Sequence, residues 1–111
     1  MSDAAMALRG NPPHPGDLIA VIRRLVRTGA YSFSKHAFDD RMGLRDIDAD
    51  DARKVLTIGD IQGDIVPGKN AGEWRCRVVG PLPWTSREAG VVTVVIREAK
   101  LLIVTVKWID P

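Results

Sequence analysis

The chain has 111 residues, 45% hydrophobic and 27% charged, which is the length and composition of one ordinary globular domain. Its single cysteine, Cys76, excludes an internal disulfide and a cysteine-based metal cluster. No apolar run approaches the ~20 residues that span a bilayer, and the apolar part of MSDAAMALRG is too short for a signal peptide, so a reduced, cytoplasmic setting with no membrane contact is expected.

Net charge is +2 but uneven: residues 1–64 hold nine Lys/Arg against ten Asp/Glu, and residues 65–111 hold seven against four. The cationic excess of the second half points toward an anionic partner there.

Residues 1–16, with Pro12, Pro13, Pro15 and two glycines, read as a flexible Pro-rich arm, and residues 17–111 as the folded domain. Asp17 is the expected N-cap of a first helix, in which Leu18, Val21, Ile22 and Leu25 fall at helical spacing before a stop at Gly29. Arg23, Arg24 and Arg27 take its other side, where a solvated face is the ordinary reading. Tyr31-Ser32-Phe33 reads as a short extended piece, and Ser34 as the cap of a second helix over KHAFDDRM. Asp46 or Asp48 caps a third, ADDARKVLTI, ending at Gly59; the acidic residues of its first turn complement the helix dipole and need no catalytic role.

From Asp60 the period changes to two. Asp60–Val66 is expected as a short edge strand around Gly63, and Glu73–Val79 as a half-buried strand alternating Trp74, Cys76 and Val78 against Arg75 and Arg77. Gly80–Gly90 is a loop carrying Trp84. The closing stretch GVVTVVIREAKLLIVTVKWI reads as two β-branched strands forming the central hairpin. A three-residue turn at Glu98–Lys100 gives a register with Val92, Val94, Ile96, Leu102, Val104, Val106 and Trp108 on one apolar face. Thr93, Arg97, Thr105 and Lys107 then share the other. Helices first and strands after argue for an α+β fold, two to three N-terminal helices packed on one face of a twisted antiparallel sheet of three to four strands.

Two constellations carry chemistry. Arg75, Arg77, Arg97 and Lys107, with Thr93 and Thr105, are expected on the sheet face away from the helices, flanked by the Trp84 indole. Cations there hold phosphates and an indole stacks on a base, so the set reads as an RNA platform. The same cations suit a pentacoordinate phosphorus formed when an RNA 2′-oxygen attacks its own phosphate. An ordinary solvated sheet face accounts for the same residues. The second set is His36 with Arg41 and Arg45: a proton carrier near neutral pH beside phosphate-binding arginines, or else a local cap with ion pairs to Asp39, Asp40 or Asp46. P-loop, GxGxxG, GxSxG, HExxH and CxxC patterns are absent, so no cofactor or metal is expected.

The segment SFSKHAFDDRMGLRDIDADDARKVL, with the final LLIVTVKW, resembles the domain-of-unknown-function family 4258. The order IRRLVRTGAYSFSKHA, GEWRCRVV and then a VTVVI…LIVTVK hairpin is similar to MqsR-type toxins of the RelE-like group of messenger-RNA interferases. The resemblance implies a RelE-like fold and metal-independent endoribonuclease activity under the control of a partner antitoxin. On that basis Lys107 matches the last-strand lysine, and Arg75 falls where the MqsR type carries a catalytic glutamine. That type's sheet tyrosine aligns with Val91–Val92 and has no match. The expected catalytic set is therefore Lys107, Arg75 and His36, with Arg77, Arg97, Arg41, Arg45, Trp84 and Thr105 binding RNA. The alternative is a non-catalytic RNA- or protein-binding module of the same fold.

Overall fold

A computed structural model describes Leu8, residues 10–37 and residues 47–109. Two helices, α1 (Pro15–Arg27) and α2 (Ala49–Ile58), accompany strands β1 (Tyr31–Phe33), β2 (Asp60–Pro67), β3 (Glu73–Pro81), β4 (Glu88–Ile96) and β5 (Lys100–Trp108). The strands form one sheet in the order β1-β5-β4-β3-β2. The fold is α+β with five strands rather than three or four. The sheet is mixed rather than antiparallel, because Tyr31–Phe33 runs parallel to β5, with Tyr31 opposite Leu101. Among the described residues no helix is long and apolar enough to cross a membrane.

Both helices form for local reasons. His14, not Asp17, is the N-cap of α1: its Nδ1 accepts the Gly16 amide at 3.0 Å, and Pro15 opens the helix where its missing N–H costs nothing. Pro15 and Gly16 thus belong to the helix, and Asp17 lies in its first turn. Gly29, at φ +80°, turns the chain out after Thr28. α2 starts at Asp48, whose carboxylate accepts the Asp51 amide while that of Asp51 accepts the Asp48 amide. The expected helix from Ser34 falls mostly outside the described residues; the described part, residues 35–37, is a turn.

One face of each helix packs on one face of the sheet. Leu18, Ile22 and Leu25 of α1, and Ala52, Val55 and Leu56 of α2, meet Cys76, Val78, Val91, Val95, Leu101, Ile103 and Val106. The helix arginines are not simply solvated. Arg23 Nη2 donates to the Gly59 carbonyl at 2.8 Å, and Arg24 Nη2 to the Glu98 carbonyl at 2.6 Å, tying α1 to the end of α2 and to the β4–β5 turn.

That turn corrects the expected register. It is three residues long but spans Arg97–Ala99, so Ile96 pairs with Lys100, Val95 with Leu101 and Val94 with Leu102. Arg97 and Glu98 take φ of +53° and +58°, which costs about 1–2 kcal/mol each without glycine. Arg24, and Leu8 through the hydrogen bond its amide donates to the Glu98 carboxylate, hold the turn in place. From the turn as far as Val104 the two faces exchange. Val91, Thr93, Val95, Leu101 and Ile103 are buried under the helices, and Val92, Val94, Ile96, Leu102 and Val104 lie on the outer face. Val106, beyond Val104, is buried as expected.

Gly59 and Gly80 cross at the end of α2, where a Cβ on Gly59 would sit 2.5 Å from the Val79 carbonyl oxygen. Backbone cannot yield as a flexible side chain does. Gly59→Ala is expected to destabilise the fold by about 1–3 kcal/mol, read as a lowered urea midpoint with an unchanged slope.

Candidate nucleic-acid interface

Pairing through β3, β4 and β5 sets which side chains share the outer face. Arg75 stands opposite Val94 and Arg77 opposite Val92, while Lys107 stands opposite Gly90. All three cations are exposed, and their side chains make no ion pair or hydrogen bond among the described residues. Arg75 and Arg77 are two residues apart on one strand, hence about 7 Å, a spacing close to that of successive phosphates in an extended strand. Lys107 lies beyond them, four residues from Arg75 when measured along β4, or about 13 Å. Gly90 forms the low ground between Arg77 and Lys107: a Cβ there would lie 3.5 Å from Arg77 Cδ and 2.6 Å from the tip of Ile109.

Lys107 faces outward because of a bulge. Val92 pairs with Thr105 but Thr93 with Ile103, which leaves Val104 as an extra residue in β5. Leu101 and Ile103 face the helices, so uninterrupted alternation would also send Thr105 and Lys107 inward. The extra residue resets the count: Val106 is buried instead and Lys107 is exposed. Ser34 holds the bulge, its amide donating to the Ile103 carbonyl at 2.8 Å and its hydroxyl to the Val104 carbonyl at 3.2 Å.

The face is hollowed at two places. A cleft of about 290 Å³ is lined by Gln62, Gly63, Asp64, Val66, Arg75, Arg77 and Val92. It opens because β2 breaks its pairing between Gln62, opposite Arg77, and Val66, opposite Arg75. A second cleft, of about 360 Å³, has a floor of Val94, Ile96, Leu102 and Val104, with Lys69, Glu73 and Arg75 at its rim. Hydrogen bonds from the Asn70 side chain and then its amide hold the Glu73 carboxyl below its ordinary range, with smaller help from the Lys69 amide and the Arg97 charge.

The other expected site residues are dispersed. Thr105 pairs with Val92 near the outer face, but Thr93 is fully buried, its Oγ1 donating to the Leu102 carbonyl at 2.8 Å. Arg97 sits in the turn at the far end of β4 from Lys107, its amide bonded to the Gly72 carbonyl. Trp84 belongs to the helix side. Its indole N–H donates to Asp51 Oδ1 at 3.0 Å, and its ring meets Trp108 edge-on at 5.8 Å, with Arg87 4.2 Å above the Trp108 ring. His36 lies in the exposed turn after Ser34, beside β5 but off the sheet face, with the neighbouring Ala37 carbonyl accepting the Val106 amide at 3.3 Å. Arg41 and Arg45 lie outside the described residues. Gln62 and Asp64 line the first cleft and were not expected there; the signal was Gly63, since a glycine inside a strand pattern marks a bulge. Among the described residues no cluster of His, Cys, Asp or Glu is arranged to hold a metal.

No family model, curated protein or solved structure matches the chain.

Cys76 sits behind this face, among the core residues under the helices. Burial pushes its thiol from 9.0 up to about 12. The native thiol is therefore expected to resist a thiol-specific reagent at pH 8 and to react once urea unfolds the chain. Because the folded value is the higher one, this group's contribution to stability is intact below pH 9 and declines between 9 and 12. An unfolding series across that window, with Cys76→Ala as the control, reads the decline.

Proposed function

We propose that this protein is an RNA-directed domain that engages its ligand through the outer face of the sheet. The observation that carries the reading is the grouping of Arg75, Arg77 and Lys107, three exposed cations with no carboxylate partner among the described residues, on one side of the sheet. Unpaired cations at such spacings neutralise phosphates and release the counterions condensed on them. The resemblance to RelE-like interferases and the cationic bias of residues 65–111 support RNA as the anion. A toxin–antitoxin pair in the cytoplasm, with an antitoxin as protein partner, is the setting the resemblance implies.

Binding is favoured over cleavage by the spread of the expected catalytic set. Arg75 and Lys107 are offset by about 13 Å along the strands and by two strand spacings across them, about 16 Å in all, and His36 lies beyond β5. Wild type is expected to bind a single-stranded RNA oligonucleotide with an affinity that falls steeply as salt rises. Arg75→Ala, Arg77→Ala and Lys107→Ala should each reduce the slope of log K against log salt by about 0.7, measured by fluorescence anisotropy. Absence of binding at low salt, or a slope unaffected by all three changes, overturns the reading.

One observation favours cleavage as a second reading: the bond from Val106 to Ala37 brings the His36 turn against the end of β5 that presents Lys107. Arg77 and Lys107 would then stabilise the scissile phosphate while His36 moves the proton. Expression without a neighbouring antitoxin should in that case arrest growth and fragment RNA. Lys107→Ala and His36→Ala should each slow cleavage by about 100-fold or more. Intact RNA from well-folded wild type removes the cleavage reading and leaves binding.

A further inference from the structure

The first cleft contains more than phosphate-binding groups require. A face built only to hold a polyanion gains nothing from a carboxylate, yet Asp64 lines the same 290 Å³ cleft as Arg75 and Arg77. Neither the Asp64 carboxylate nor the Gln62 carboxamide has a hydrogen-bond or ion-pair partner among the described residues. Gln62 is the last paired residue before the break, held opposite Arg77, and Asp64 lies in the unpaired segment beyond it, so the two are displayed together at the bulge. Between them is Gly63, at φ +86° with nothing within 4 Å of where a Cβ would stand. Val66 and Val92 give the cleft an apolar lining. A volume of this size suits one planar base, not a folded ligand.

We infer that this cleft reads a single unpaired guanine of the bound RNA. Guanine is the base whose Watson–Crick edge presents two adjacent donors, N1–H and the N2 amino group, beside an acceptor, O6. The Asp64 carboxylate accepts from the two donors, and the Gln62 carboxamide donates to O6. Val66 and Val92 contact the face of the base, while Arg75 and Arg77 hold the phosphates on either side of it. Adenine, cytosine and uracil each offer Asp64 a single donor in place of the pair, and so lose the bidentate contact. A base inside a duplex has this edge occupied, so the cleft selects single strands.

The inference rests on the RNA reading of the face, and the experiment separates the two. The probes are a uridine oligonucleotide with one central guanosine and the same strand with adenosine, cytidine, uridine or inosine there. Wild type should prefer guanosine over adenosine, cytidine and uridine by roughly 5- to 140-fold, the discrimination a bidentate pair supplies. Inosine, which keeps N1–H and lacks the amino group, should fall between. Asp64→Asn should lose the preference and bind the non-guanosine strands at least as tightly, since a negative charge has left the face. Gln62→Ala should narrow the preference, while Arg75→Ala should weaken every strand alike. Equal binding of all strands by wild type, or a guanosine preference that survives Asp64→Asn, overturns the inference and leaves the phosphate-binding face standing. Failure of wild type to bind any strand at low salt overturns both.

Discussion

The arrangement of this molecule depends on which side of β4 is buried, and that choice is made at Thr93. Its hydroxyl is fully enclosed under the helices, where an unpaired polar group would cost about 1–3 kcal/mol. The cross-strand bond to the Leu102 carbonyl removes that penalty. With Thr93 inside, Cys76 opposite it is also inside, and the alternation of β3 places Arg75 and Arg77 on the far side. The reverse choice would turn Arg75 and Arg77 toward the helices together with Glu73, which has the same parity on β3, and would take all three charges out of water. Burying one threonine is the cheaper arrangement.

The same choice leaves an apolar strip on the outside. Val92, Ile96, Leu102 and Val104 are only partly covered and Val94 is 9% exposed, so the outer face is an aliphatic floor edged by cations and not a uniformly polar surface. At about 7 Å two like charges in water repel by only about 0.6 kcal/mol, which a domain of this size tolerates. The floor gives bases or apolar groups a place to lie while charges at its edge hold a phosphate chain. Trp84, by contrast, spends its indole N–H on Asp51 and, although 55% exposed, looks away from this face.

What the sequence disclosed follows from how local each determinant is. The bounds of α2, its cap to within Asp46 or Asp48, and its end at Gly59 were legible because apolar spacing and capping act within a few residues. The strands around Glu73 and Gly63 were legible for the same reason, through alternation and a misplaced glycine. The hairpin register was not. Val91–Ile96 is apolar on both faces apart from Thr93, so a clean apolar face exists in either parity. The turn that decides between them uses two positive-φ residues without glycine, held by Arg24 and Leu8 from far along the chain. The parallel pairing of β1 was equally hidden, since three residues acquire strand character only through a partner some seventy positions away. For the candidate site, alternation put Arg75 and Arg77 on one face, whereas Lys107 joins them through a bulge at Val104 that the expected register did not contain. Arg97 and Trp84 were misplaced because a turn and a tertiary hydrogen bond determined their positions.

Two bulges convert this sheet from a scaffold into a surface with a site. The one at Val104 adds a residue to β5 and so turns Lys107 out beside Gly90; without it the lysine would point into the core. The one between Gln62 and Val66 releases β2 from its ladder and opens the cleft where Gln62 and Asp64 face Arg75 and Arg77. Each breaks regular pairing at a cost, and each has its own support. Ser34 satisfies the carbonyls at the first, and Gly63 takes the backbone conformation the second demands. The turn bearing His36 therefore has a structural task at the edge of β5 whatever its chemistry, because loss of the Ser34 clamp would free the bulge that sets the direction of Lys107.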